Sequence, residues 1–180
     1  MNGIIKKYSA IIISLVMIVA VFSPLSTLEN VNAETETAIE REDIVSYPVT
    51  GGNLYFDRAI GAITDCDDNV SVVQIPKEIE GIKVTSIGER AFSDCYNLLE
   101  LEFPNSIDAI GAYAFAHCRS LSKLLLPENI KTIGKSAFLN CDSLRSVRIP
   151  ATLTDLGESA LRINSLENIY VDSENLNFAS

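Results

Sequence analysis

Residues 110–127 read IGAYAFAHCRSLSKLLLP, and similar stretches lie on both sides of them. Residues 87–104 read IGERAFSDCYNLLELEFP, and residues 133–150 read IGKSAFLNCDSLRSVRIP. The three share the template I-G-x-x-A-F-x-x-C-x-x-L-x-x-L/V-x-F/L/I-P. Glycine recurs at positions 88, 111, 134 and 157, a constant spacing of 23 residues. An internal repeat of this kind decides the architecture before any local pattern does.

A 23-residue unit is too small to bury its own apolar side chains, so successive units are expected to stack and share one core. The alternation of Leu124 and Leu126 with polar or exposed positions predicts a short strand, ended by a proline that cannot donate to a ladder. Strands of successive units are expected to run parallel. The glycine is expected to allow a tight bend, and the Ala-Phe pair a single helical turn with the phenylalanine inward.

These residues resemble the BspA-like leucine-rich repeats of bacterial surface proteins, whose pattern couples L-x-x-L/I-x-L/I-P to I-x-x-x-A-F-x-x-C. The resemblance covers most of residues 70–165. It implies an α/β solenoid, a right-handed coil of 23-residue repeats with a parallel β-sheet on its concave face. It also implies a bacterial protein, secreted or at the cell surface, that binds an extracellular or host protein, with adhesion as the concrete expectation.

The residues before the regular repeats predict an N-terminal cap and first strand over residues 51–76. Within it, residues 54–56 and 62–64 are expected to pair as a β-hairpin that closes the stack. Residues 70–76 match the strand half of a first unit. Five inserted residues, 80–84, are expected to form a small bulging loop before the next glycine.

The repeats themselves are assigned to residues 77–165, and residues 166–180 to a degenerate last strand and C-terminal tail. Asn164 stands where the other units have cysteine, and the following apolar residues have slipped by one position. Solenoids need polar ends, and exposed ends make self-association possible.

The N-terminus has the composition of a secretory signal peptide. Lys6 and Lys7 precede an uncharged apolar run, residues 10–22, and a small residue follows at Ala33. The run is short for a membrane-spanning helix, which needs about 20 apolar residues. We expect residues 1–33 to be removed near Ala33 and no membrane span to remain.

The mature chain is predicted to be strongly acidic. Loss of residues 1–33 changes the formal net charge from −10 to −11. Such a charge repels phosphate backbones and no basic stripe compensates for it, which excludes nucleic acid as a partner. The charged stretch at residues 34–50 lacks aromatic residues over most of its length and is predicted to be a flexible acidic leader.

The four cysteines are predicted to be structural. Cys95, Cys118 and Cys141 recur every 23 residues at an inward position, and Cys66 lies near the equivalent place in the first unit. Stacked coils bring such residues close enough for a disulfide, so that alternative stays open. Parallel side chains in a ladder favour free buried thiols.

No catalytic, metal or cofactor site is predicted. His117, the single histidine, occupies a variable position and has no nucleophile beside it. Residues 65–69 resemble the start of a calcium loop, but Val70 and Pro76 stand where that loop needs glycine and glutamate. Cysteine and histidine do not occur at zinc-ligand spacings. We therefore expect a protein that is not an enzyme and carries no cofactor.

The candidate binding face consists of strand residues between the inward ones, since the concave side of such solenoids usually binds the partner. Their chemistry is mixed, with acidic, basic, polar and two apolar members, as in a modest protein-binding patch. The candidate residues are Glu100, Glu102, Lys123, Leu125, Ser146, Arg148, Asn168 and Tyr170, with Gln74 before them.

Two alternative functions remain. The first is a non-catalytic, carbohydrate-associated accessory protein of a polymer-degrading bacterium, although tryptophan is absent and Tyr170 is its single aromatic candidate. The second is a truncated structural fragment of a larger surface protein.

Overall fold

A computed structural model describes residues 43–178. The expected signal peptide, residues 1–33, and the first part of the expected leader lie outside the described residues. Residues 43–178 form fourteen β-strands and no helix, so this part of the chain contains no helix able to cross a bilayer. The strands are β1 (Ile44–Val49), β2 (Gly52–Asp57), β3 (Ala62–Cys66), β4 (Val72–Gln74), β5 (Glu78–Ile79), β6 (Ile82–Lys83), β7 (Ser86–Ile87), β8 (Glu100–Glu102), β9 (Ala109–Ile110), β10 (Lys123–Leu124), β11 (Thr132–Ile133), β12 (Ser146–Ile149), β13 (Asp155–Leu156) and β14 (Asn168–Val171).

Five strands pair in parallel, and each of the last four ends immediately before a repeat glycine. They are β3, β7, β9, β11 and β13 in that order, and we call them ladder A. Ile87 aligns with Ile110, Ile110 with Ile133, and Ile133 with Leu156, a step of 23 residues each time. No strand is predicted here from the sequence, because a two-residue strand is too short for an alternating pattern.

The strands that the sequence does predict form a second set, ladder B. It consists of the three-stranded sheet β10-β8-β4 and the pair β12-β14, all parallel. Val73, Leu101, Leu124 and Val147 are its inward residues and all are buried. The predicted parallel strands and inward alternation are confirmed, but the ladder is interrupted between β10 and β12.

The predicted helical turn is wrong, and with it the α/β class: the fold is a β-solenoid with parallel strands. Left-handed φ angles, between 52° and 64°, recur two and six residues after the repeat glycines. Two such residues within five positions cannot belong to a right-handed helix. They are Arg90, Tyr113, Ser136 and Ser159 at the first position, and Asp94, His117 and Asn140 at the second.

Backbone hydrogen bonds explain what replaces the helix. The N–H of Phe92 donates to the carbonyl of Ala114 at 2.8 Å, and the N–H of Phe115 donates to that of Ala137 at 2.8 Å. Intervening residues close short turns instead, as when the N–H of Cys118 donates to the carbonyl of Phe115. Alternate N–H groups thus point to the next coil rather than along a helix.

Three phenylalanines form the centre of the core. The rings of Phe92 and Phe115 are stacked at 5.0 Å between centroids, and those of Phe115 and Phe138 at 5.2 Å. Phe103 meets Phe115 edge to face at 5.9 Å. All three stacked rings are fully buried, so the inward assignment of the repeat phenylalanines is confirmed.

We predict that Phe115→Ala destabilises the protein by about 3–5 kcal/mol, because it removes a ring that packs against three others. Lys123→Ala, on an exposed strand position, should change the free energy of unfolding by less than about 0.5 kcal/mol. Chemical denaturation of both variants measures the difference. Equal effects would contradict these inward and outward assignments.

Three of the repeat glycines, Gly111, Gly134 and Gly157, are required by close packing between coils rather than by a special φ angle. Gly88, Gly111, Gly134 and Gly157 do not have positive φ. A Cβ atom on Gly134 would lie 2.5 Å from the backbone nitrogen of Ala112 in the preceding coil, whereas one on Gly88 meets nothing nearer than 3.1 Å. The expected role of glycine in a bend is therefore wrong for these positions.

Gly134→Ala should accordingly cost about 1–3 kcal/mol, the usual range for overpacking. Gly88→Ala is the matched control, because its new methyl group would lie 3.1 Å from the carbonyl oxygen of Ile63 and 3.4 Å from the Cα of Thr64, a milder conflict than the one at Gly134. Thermal unfolding of the two variants tests this explanation. A Gly88→Ala variant as unstable as Gly134→Ala would show that spacing is not the cause.

The N-terminal strands form an antiparallel meander joined to ladder A. β2 pairs with β3 as the predicted hairpin, and β1 pairs with β2. The assignment of residues 34–50 to a flexible leader is wrong for Ile44–Val49, which is strand β1. Val45, Tyr47 and Val49 alternate with exposed residues and pack against the core. This alternation is obscured in the sequence by the charged residues before it.

The five-residue insertion has a regular structure. β5 and β6 pair as an antiparallel hairpin around Glu80 and Gly81, whose φ angles are 51° and 79°. Two left-handed residues are typical of the tight turns that match strand twist. The predicted bulging loop is thus a two-stranded projection.

The last described coil is closed by a buried amide. Asn175 is fully buried, and its Nδ2 donates to the carbonyls of Pro150 at 2.7 Å and Leu153 at 3.1 Å. Its Oδ1 accepts from the N–H groups of Asn177 and Phe178. Buried carbonyls near the end of the coil are satisfied in this way.

Candidate functional site

The outward side chains of ladder B form the candidate site, which we call the ladder B face. All eight predicted residues are exposed. Strand register arranges those on β8 and β10, and those on β12 and β14, side by side. One row contains Val72, Glu100, Lys123, Ser146 and Asn168, and the other contains Gln74, Glu102, Leu125, Arg148 and Tyr170.

The first row contains two charged side chains without a partner in the described part of the chain. Glu100 and Lys123 are aligned neighbours on β8 and β10, yet no ion pair joins them. Neither side chain has a hydrogen-bonding or ionic partner among residues 43–178. Both charges are therefore available to an external group.

Arg148, in contrast, is already engaged. Its guanidinium donates from Nη1 to Glu128 Oε1 at 2.6 Å and from Nη2 to Asp172 Oδ2 at 2.5 Å. The hydrogen bond and charge of Glu128, helped by Asp172, raise the pKa of Arg148, so this side chain stays cationic. Because two carboxylates already pair with this guanidinium, it offers a binding partner little free positive charge.

Apolar side chains are exposed within or beside the polar ones. Leu125 is 61% exposed and Tyr170 is 59% exposed. Val72 and Leu99 are also exposed, and the sequence reasoning did not select them. The signal for Leu99 was present, because the equivalent positions in the next two units are the polar Ser122 and Arg145.

The cysteines do not offer reactive thiolates at this site. All four are buried, as predicted, and carry free thiols in this structure. Burial raises the pKa of Cys118 and raises that of Cys141 to about 12. Cys118 and Cys141 donate from Sγ to the carbonyls of Phe92 and Phe115 in the preceding coils.

His117 serves the turn in which it lies. Its φ of 64° is left-handed, a conformation in which histidine, asparagine and aspartate are enriched, and Asp94 and Asn140 take the same place in neighbouring coils. Asn140 Nδ2 lies 3.2 Å from His117 Nδ1. The described residues contain no group of three or more metal-ligating side chains.

A second surface feature is a polar groove of about 530 Å³. Its side chains largely bind neighbouring coils: Asn129 donates to the carbonyl of Asn105 at 2.9 Å, and Lys131 pairs with Asp108 at 3.5 Å. These contacts join the coils and leave few groups for a ligand. The lining residues are Lys83, Thr85, Asn105, Ser106, Asp108, Asn129, Lys131 and Thr152.

Comparison with known families identifies this architecture. Residues 63–180 match the BspA type leucine-rich repeat region, in six copies. The chain belongs to the BspA-type leucine-rich repeat family. A comparison with curated proteins found no match.

Solved structures resemble this BspA-type leucine-rich repeat chain. A leucine-rich repeat protein from Bacteroides capillosus ATCC 29799 is 30% identical with a TM-score of 0.60, covering 71% of this chain and 98% of its own. The T. pallidum leucine-rich repeat protein TpLRR is 22% identical with a TM-score of 0.54, covering 69% and 71%. The pneumococcal vaccine antigen PcpA is 21% identical with a TM-score of 0.63 over 73% of this chain, which spans 31% of PcpA. The last two likenesses support the fold alone.

Proposed function

We propose that this chain is a non-catalytic interaction module, secreted or displayed at a bacterial surface, that binds another protein through the ladder B face. The observation that carries the proposal is the exposure of all eight face residues on, or next to, the parallel strands of ladder B. In the proposed arrangement the solenoid is right-handed, its 23-residue coils place ladder B on the concave side, and the β1–β3 meander caps the N-terminal end.

Composition of the face supports a protein partner. Leu125 and Tyr170 supply exposed apolar area, while Glu100 and Lys123 supply unpaired charge around it. Protein interfaces combine an apolar, often aromatic, centre with a polar rim. Glu128 and Asp172 are already paired with Arg148, which leaves Glu100 and Lys123 as adjacent charges of opposite sign, unpaired among the described residues. A partner with an apolar patch, an acidic group to meet Lys123 and a basic group to meet Glu100 therefore fits best.

Adhesion is the specific form of this function that we propose. It can be tested by measuring binding of the purified chain to immobilised extracellular-matrix proteins and, in parallel, to a glycan array. Saturable protein binding should weaken about tenfold or more in Leu125→Ser and in Lys123→Glu, because each alters the centre of the face.

Two matched controls separate this face from the rest of the surface. Ile60→Ser changes a residue as exposed as Leu125, in the turn between β2 and β3. Arg162→Glu makes the same charge reversal as Lys123→Glu, away from ladder B. Equal losses in controls and face variants would contradict the proposed face, and binding to glycans alone would favour the carbohydrate-associated alternative.

Export of the chain is part of the proposal and rests on the N-terminal sequence. Lys6, Lys7, the apolar run at residues 10–22 and Ala33 match the parts of a cleavable signal. We predict that the protein recovered from the cell surface or medium begins at Glu34. N-terminal sequencing measures this, and a surface or secreted protein that retains residues 1–33 would contradict it.

A further inference from the structure

One pair of cysteines differs from the others in its contacts. The Sγ atoms of Cys66 and Cys95 are 2.8 Å apart, closer than an ordinary contact between two sulfur atoms. Both residues are 2% exposed. No other two cysteine sulfurs in residues 43–178 come within hydrogen-bonding distance of each other.

The first coil explains why these two sulfurs meet. Ile63 and Ile87 are aligned in ladder A, but Cys95 follows Ile87 by eight positions and Cys66 follows Ile63 by only three. The first coil therefore lacks the turn that carries the repeat phenylalanine. In later coils the cysteine thiol donates to a phenylalanine carbonyl in the preceding coil, and Cys95 has no such carbonyl behind it.

We propose that Cys66 and Cys95 are a disulfide-forming pair that becomes bonded when the chain meets a disulfide oxidant. A disulfide is about 2.05 Å long, so the two sulfurs need to approach by about 0.75 Å from their present 2.8 Å separation. Cys118 and Cys141 remain thiols, because the stacking of the coils places each thiol against a backbone carbonyl of the preceding coil rather than against another thiol. This inference does not depend on the proposed binding function.

The chemistry is thiol–disulfide exchange with a small-molecule disulfide such as oxidised glutathione. One cysteine thiolate attacks the oxidant, forming a mixed disulfide and releasing one glutathione thiolate. The second cysteine thiolate attacks the protein sulfur of that mixed disulfide and releases the second glutathione. The two cysteines lose two electrons and two protons, and the oxidant is reduced to two thiols.

The environment of the pair determines when the bond forms. Contact with Cys95, and then burial, raise the pKa of the Cys66 thiol, so thiolate is scarce in the folded protein. Glutathione also has no path to sulfurs that are 2% exposed. The bond is thus expected to form during folding, and afterwards the core shields it from reductants.

Oxidative refolding tests this directly. The full chain is reduced and unfolded, then refolded in a buffer of oxidised and reduced glutathione. It is next unfolded in guanidinium chloride with iodoacetamide present, so that every remaining thiol is blocked, and analysed by peptide mass spectrometry. We expect Cys66 and Cys95 in one linked peptide pair and the blocking group on Cys118 and Cys141. Blocking of all four cysteines, or a bridge to a different cysteine, would overturn the assignment.

Two variants and a thermal measurement complete the test. Cys141→Ser should retain the bond, whereas Cys66→Ser should leave the remaining cysteines open to iodoacetamide. Since the bond closes a loop of 29 residues, the oxidised wild-type protein should unfold about 5–10 °C above its reduced form. Cys66→Ser should show no such dependence on reductant, and an equal shift in that variant would contradict the proposal.

Discussion

The distance between neighbouring coils governs this structure. From Gly111 onward, the repeat glycines let the backbone of one coil lie against that of the preceding coil, where a Cβ atom on Gly111 or Gly134 would fall within 2.6 Å of backbone nitrogen. At this spacing the N–H groups of alternate turn residues reach carbonyls of the following coil. The same spacing holds the rings of Phe92, Phe115 and Phe138 in stacked contact. The same distance between coils therefore satisfies both the hydrogen bonds that join them and the packing of the core.

Much of this arrangement could be predicted because the repeat fixes which positions are equivalent. Residues such as Leu101, Leu124 and Val147 are predicted inward and are buried. The helical turn is predicted wrongly because the Ala-Phe spacing does not reveal the left-handed φ angles at Arg90 and Asp94. Only contacts with the next coil, which local sequence does not encode, make that backbone favourable.

The candidate face could be predicted in outline but not in its electrostatics. Strand alternation is enough to expose Glu100, Lys123 and Leu125. The engagement of Arg148 depends on Glu128 and Asp172, which lie 20 and 24 residues away in sequence and become neighbours through coil stacking. Ion pairs between coils can therefore be predicted only when the alignment of the coils is known. These pairs determine which charges remain free to meet a partner.

The β5–β6 hairpin shows where the solenoid accommodates additional chain. Val73 and Leu101 stay aligned although 28 positions separate them, against 23 for Leu101 and Leu124. The extra residues leave the coil at Glu78–Ile79 and return at Ile82–Lys83, and a Cβ atom on Gly81 would touch nothing within 4 Å. The tip of this hairpin is consequently a natural graft point, where an epitope or reporter peptide can be carried without altering the spacing of the coils.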